Sequence, residues 1–127
     1  MKIKLASIFV DDQDKALRFY TEILGFVKKT EIPMGNVKWL TVVSPEAPDE
    51  VELVLEPNGH SAAKTFQKAL FDEGIPFTAF SVDDLQKEYE RLVAAGVVFR
   101  SKPTHAGNVS LAVFEDTCGN LIQIFQV

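Results

Sequence analysis

The feature that most restricts how this chain can fold is an internal duplication. Val10-Asp11-Asp12 recurs as Val82-Asp83-Asp84, and Gly35-Asn36-Val37 recurs as Gly107-Asn108-Val109, both at a spacing of 72 residues. Lys15 and Lys87 keep that spacing. Gly25 matches Gly96 after a single-residue deletion, as does the run Val51-Glu52-Leu53-Val54 with Ile122-Gln123-Ile124-Phe125. Any one match could be chance, but their common order marks a repeated unit, and repeats govern the fold of the chain that carries them. With 127 residues there is room for one domain, so the two copies lie inside it.

Both copies read alike. In the first, residues 3–10, rich in branched and aromatic side chains, read as a strand, and Asp11 or Asp12 caps a helix with Ala16, Leu17, Tyr20, Ile23 and Leu24 on its apolar side. Gly25 stops that helix, and strands are expected at 26–31, 37–43 and 51–56. The second copy has a strand at 77–82, a helix from Asp83 or Asp84 to Ala95, and strands at 97–100, 109–114 and 121–125. The expected fold is α+β: two βαβββ modules with curved mixed sheets, module 1 at about 1–57 and module 2 at about 76–127. Between them a linker helix at about 61–73 should start at Ser61, turn Phe66 and Leu70 inward, and end at Gly74.

Composition removes several classes of function. The net charge is −5, with no basic stripe, which speaks against binding to a phosphate backbone. The apolar run from Leu5 to Val10 is too short for a membrane span or a signal-peptide core, so no membrane partner is expected and the chain reads as cytoplasmic. One cysteine, Cys118, supports neither a disulfide framework nor a multi-cysteine zinc site.

The opening segment FVDDxxKALRFYTEILGF and the closing segment FEDTCGNLIQIF, set in this double βαβββ pattern, resemble the vicinal oxygen chelate superfamily of glyoxalases, bleomycin-resistance proteins and dioxygenases. In its metal-using members each module gives one ligand from its first strand and one from its last. Carried onto this chain, the resemblance points to Leu5, Glu52, Phe77 and Gln123, with Glu52 as the repeat partner of Gln123. Leucine and phenylalanine offer no lone pair, and one carboxylate with one amide does not hold a divalent ion. The resemblance therefore implies no metal and no cofactor here.

Strand alternation then groups Ser7 and Phe9 with Leu5, Ala79 and Ser81 with Phe77, Val54 and Glu56 with Glu52, and Phe125 with Gln123. The expected ligand-binding set is Leu5, Ser7, Trp39, Glu52, Phe77, Ala79, Gln123 and Phe125, an apolar and aromatic surface with few polar points. Glu52 is the candidate catalytic residue, since apolar surroundings push a carboxyl toward the range of a general base; the alternative is a strand-end glutamate paired with a cation. Gln123 either orients a ligand or bonds to Glu52, and Trp39 either stacks on a ligand or packs in the core. His60 and His105 read as surface loop residues, Cys118 as an unreactive thiol, and the paired aspartates as helix caps.

Two functions follow from the resemblance. One is a protein of the bleomycin-resistance type that binds a small molecule in a metal-free pocket. The other is a lyase, isomerase or dioxygenase with a site rebuilt from Glu52, Glu56 or a loop histidine. The expected partners are a small-molecule ligand and a second copy of the chain in a homodimer.

Overall fold

A computed structural model describes all residues, 1–127. Its elements repeat as the duplication requires. Strand β1 (Leu5–Val10) leads into helix α1 (Gln13–Arg18), then β2 (Val27–Met34), β3 (Val37–Val43) and β4 (Glu52–Pro57). Helix α2 (Ser61–Asp72) follows, then β5 (Thr78–Ser81), α3 (Leu85–Ala94), β6 (Thr104–Ala106), β7 (Val109–Glu115) and β8 (Leu121–Gln126). The chain forms two compact units, 1–64 and 65–127. Each contains one four-stranded sheet, ordered β1-β4-β3-β2 in the first and β5-β8-β7-β6 in the second. Each sheet has one parallel pair, β1 with β4 and β5 with β8, and is otherwise antiparallel.

Both module helices begin in the same way. The Asp12 carboxylate accepts from the Lys15 N–H and the Asp84 carboxylate from the Lys87 N–H, each at 3.0 Å, satisfying a donor that a helix start leaves orphaned. The Lys15 bond is the main reason that the Asp12 carboxyl is held below its ordinary value. Past α1 the helix widens into a π-helical turn at Phe19–Ile23, where the Leu24 N–H reaches back to the Phe19 carbonyl. The helix-facing side of the first sheet buries Ile8, Val10, Leu40, Val42 and Leu55 completely; in the second, Ala112, Phe114, Ile122 and Ile124 do the same work. Burying a side chain of this size contributes roughly 1.5–3 kcal/mol, so these two layers are the main source of stability in each unit.

Three expectations change. Residues 97–100 form no regular strand: Phe99 makes an isolated bridge to Phe114, and the edge strand resumes only at Thr104 after Pro103, which has no N–H to give a ladder. Ser61 is not the cap of α2; the His60 imidazole Nδ1 accepts from the Ala62 N–H at 3.0 Å instead. Phe66 is half exposed, and the buried residue of that helix turn is Gln67. Its amide donates to the Cys118 carbonyl (3.1 Å) and to Asn120 Oδ1 (3.0 Å), tying α2 to the β7–β8 turn.

That turn is held by Asp116, which is fully buried. One of its oxygens accepts from the Cys118 and Asn120 N–H groups at 2.8 and 2.9 Å, and the other accepts from the Asn120 amide at 2.7 Å. These bonds offset the cost of placing Thr117 at φ 65°, a conformation that β-branched residues resist.

Candidate functional site

Strand register defines the face of each sheet that is turned away from its helix. In the first unit Leu5 lies opposite Glu52, Ser7 opposite Val54 and Phe9 opposite Glu56. Val43 lies opposite Glu52 and Thr41 opposite Val54, while Thr30 and Ile32 are set against Thr41 and Trp39. Leu5, Ser7, Trp39 and Glu52 therefore share one face, with Leu5 and Ser7 exposed and the other two half-buried. In the second unit Ala79 is opposite Gln123 and Ser81 opposite Phe125, and the Phe77 N–H bonds to the Leu121 carbonyl. There Phe77, Gln123 and Phe125 are half-buried and Ala79 is exposed. The Phe77 ring meets Phe66 edge-on, with centroids 5.9 Å apart.

The register also corrects the assignment of equivalent positions. Ser7, equivalent to Ala79, faces Val54, whereas Ala79 faces Gln123; the counterpart of Gln123 is thus Val54, and the counterpart of Glu52 is Leu121. The shift arises because β3 and β4 are joined by a longer connection than β7 and β8, so the spacing between copies changes across it. On this register the four positions that the resemblance marks as ligands would fall at Leu5, Val54, Phe77 and Gln123. Three hydrocarbon side chains and one amide do not suit a divalent cation. Nowhere in the structure do three or more histidine, cysteine, aspartate or glutamate side chains come together in a way that could hold a metal ion.

Glu52 has partners of its own. Its Oε1 accepts a hydrogen bond of 2.7 Å from the hydroxyl of fully buried Thr41, and the Thr30 hydroxyl lies 3.5 Å away. The sequence offers Gln123 or a cation as its partner. Two threonines on neighbouring strands instead fix one carboxylate oxygen and leave the other available to a ligand.

Charge is sorted between the two faces. On the helix side, Lys38 reaches Asp14 at 2.7 Å and Glu31 at 2.9 Å, and Lys28 reaches Glu31 at 2.7 Å. Hydrogen bonds from Lys28, then Lys38, hold the Glu31 carboxyl down at about 2, and the bond to Asp14 chiefly raises Lys38. On the opposite face the ionisable residues in register are Glu52 and Glu56, and the Glu56 carboxylate makes no side-chain hydrogen bond or ion pair.

Sequence reasoning missed one residue that shapes this face. The Gln13 amide donates to the carbonyls of Lys38 and Leu55, both at 2.8 Å, and accepts from the Lys38 N–H at 3.0 Å. It takes the place of the backbone ladder between β3 and β4, which stops at Thr41–Val54. The available signal was a break in the repeat, because the second copy has Leu85 in its place. Of the remaining residues, His105 lies on β6 with its Nδ1 2.7 Å from the Ser110 hydroxyl, His60 caps α2, and Cys118 is buried and in no disulfide.

This arrangement has close parallels among known proteins. YurT of Bacillus subtilis (strain 168) is 60% identical over 126 residues, covering 99% of both chains, and YetH of the same organism is 30% identical over 121 residues, covering 94% of this chain and 93% of YetH. Among solved structures, UcmS2 superposes with a TM-score of 0.85 at 32% identity, covering 98% of this chain and 97% of its own. TnmS3, an antibiotic binding protein from Streptomyces sp. CB03234, gives a TM-score of 0.76 at 26% identity over 99% and 95% of the two chains. The family model that describes the Glyoxalase/Bleomycin resistance protein/Dioxygenase superfamily matches residues 2–124. On the double module, its strand order and this match, the chain belongs to the glyoxalase/bleomycin resistance protein/dioxygenase superfamily.

Proposed function

We propose that this protein binds a small organic molecule on the sheet faces described above, without a divalent metal. The observation that carries this reading is hydrocarbon at the family's ligand positions, Leu5, Val54 and Phe77, beside a carboxylate fixed by its neighbours. An enzyme of this superfamily draws its electrophile from a metal that holds developing negative charge, and these side chains supply no donors for one. What they supply is apolar and aromatic area with a few polar points, the usual make-up of a small-molecule site. The likeness to TnmS3, an antibiotic binding protein, supports the same class of function. The ligand-contacting residues are Leu5, Ser7, Trp39 and Glu52 in the first module and Phe77, Ala79, Gln123 and Phe125 in the second, with Glu52 the polar anchor. The protein works as a cytoplasmic homodimer, C2 pairing being the commonest assembly of soluble chains.

The test is a thermal-shift screen of chelator-treated protein against antibiotics of varied charge, bleomycin included, with calorimetry on the hits. Binding to the metal-free protein that weakens about tenfold or more in Glu52→Gln is the expected result, since hydrogen bonds to a charged group are the stronger kind. Binding that appears only after manganese, zinc, nickel or iron is added would overturn the reading.

A further inference from the structure

One difference between the two modules lies on the proposed binding face. In the second sheet Leu111 pairs with Phe125 within a ladder that runs from Ser110–Gln126 to Glu115–Leu121. The equivalent residues of the first sheet are Trp39 and Glu56, and there the ladder has already ended at Thr41–Val54. The Gln13 amide occupies that break from the helix side, bonded to Lys38 on one strand and Leu55 on the other. The opposite side of the break is flanked by Trp39, the chain's only tryptophan, and by the half-buried carboxylate of Glu56.

We propose that this break between β3 and β4 is the subsite for a planar, positively charged ring system, which stacks on Trp39 and places its cationic nitrogen against Glu56. This deepens the metal-free binding reading and rests on it. Three observations lead to the ligand's chemistry. A part-buried carboxylate with no partner is costly until a cation meets it. A tryptophan face attracts cations more strongly than any other aromatic side chain does. The lysines of this sheet are committed elsewhere, Lys28 and Lys38 to Glu31 and Asp14 on the other face and Lys29 to Asp49, so no residue in register on this face competes for Glu56. The Gln13 amide forms the floor of the break, and its hydrogen bonds keep the strands from closing.

Proflavine, a planar cation, is a suitable probe on the full chain, with the anion 1-anilinonaphthalene-8-sulfonate as its counterpart. Proflavine should quench Trp39 fluorescence saturably, and added salt should weaken it. Glu56→Gln should reduce its affinity about tenfold, as loss of a charge-assisted contact does. The same substitution should leave the anionic dye unchanged or tighter, and Glu73→Gln, at an exposed site in the other unit, should leave proflavine binding unchanged. Trp39→Phe, followed by proflavine anisotropy, should weaken it several-fold. If proflavine quenches Trp39 equally in parent and Glu56→Gln protein, the cation subsite is wrong while the binding face stands. If neither dye quenches Trp39 up to millimolar concentration, both the subsite and the binding reading fall.

Discussion

Replacing Gln13 with leucine, the residue of the second repeat, removes the side chain that takes the place of the β3–β4 ladder in the first sheet. Three hydrogen bonds are lost, and the Lys38 N–H, the Lys38 carbonyl and the Leu55 carbonyl are left without that partner. Each bond is worth roughly 0.5–1.5 kcal/mol net, and a buried group left unpaired costs roughly 1–3 kcal/mol. Gln13 is only part-buried, so water recovers some of this, and the added methyl groups return a little by burial. The expected loss is about 2–4 kcal/mol, or a fall of about 8–16 °C in Tm for a chain of this size. Urea unfolding should show a lower midpoint with an unchanged slope, and amide exchange should speed up first at Lys38. A loss under about 0.5 kcal/mol, with Lys38 as protected as before, would refute the claim that Gln13 replaces the ladder.

Two further outcomes test the local physics. The Glu31 carboxyl should titrate at about 2 by carbon NMR, against an ordinary 4.5, and Lys38→Met should move the midpoint upward. Because its folded value lies below its unfolded one, its stabilising effect is complete above about pH 4.5 and is lost as pH falls toward about 2. Gly119→Ala should cost about 2–3 kcal/mol in thermal unfolding, because φ is +100° and the new Cβ would lie 2.9 Å from the Gln67 amide nitrogen, against about 1 kcal/mol for Gly25→Ala, where space is open.

The architecture was legible because duplication leaves marks that do not depend on packing. The recurring Val-Asp-Asp and Gly-Asn-Val segments located both helix caps and both hairpins, and strand alternation sorted Leu5 with Ser7 and Ala79 with Ser81 onto single faces. The site was less legible because its details depend on backbone register and on polar side chains used as structural parts. A match of Val51–Val54 to Ile122–Phe125 in sequence misplaced Glu52, since only the pairing of strands reveals that the β3–β4 connection shifts the register. Gln13 and Gln67 carry no mark in the sequence because no local pattern tells a solvated amide from one that replaces a ladder or anchors a turn. His60 displaced Ser61 as the α2 cap for a similar reason: an imidazole nitrogen one residue earlier met the orphan N–H first.

The central claim is that this member of the superfamily binds its ligand through hydrocarbon, aromatic and carboxylate contacts where its relatives in the metal-using branch place a metal. Elemental analysis of the purified protein by plasma mass spectrometry, after dialysis against metal-free buffer, tests it most directly. The account predicts no divalent transition metal near stoichiometry, in parent protein and in Glu52→Gln alike. About one manganese, zinc, nickel or iron per chain, retained through dialysis and lost in Glu52→Gln, would contradict it.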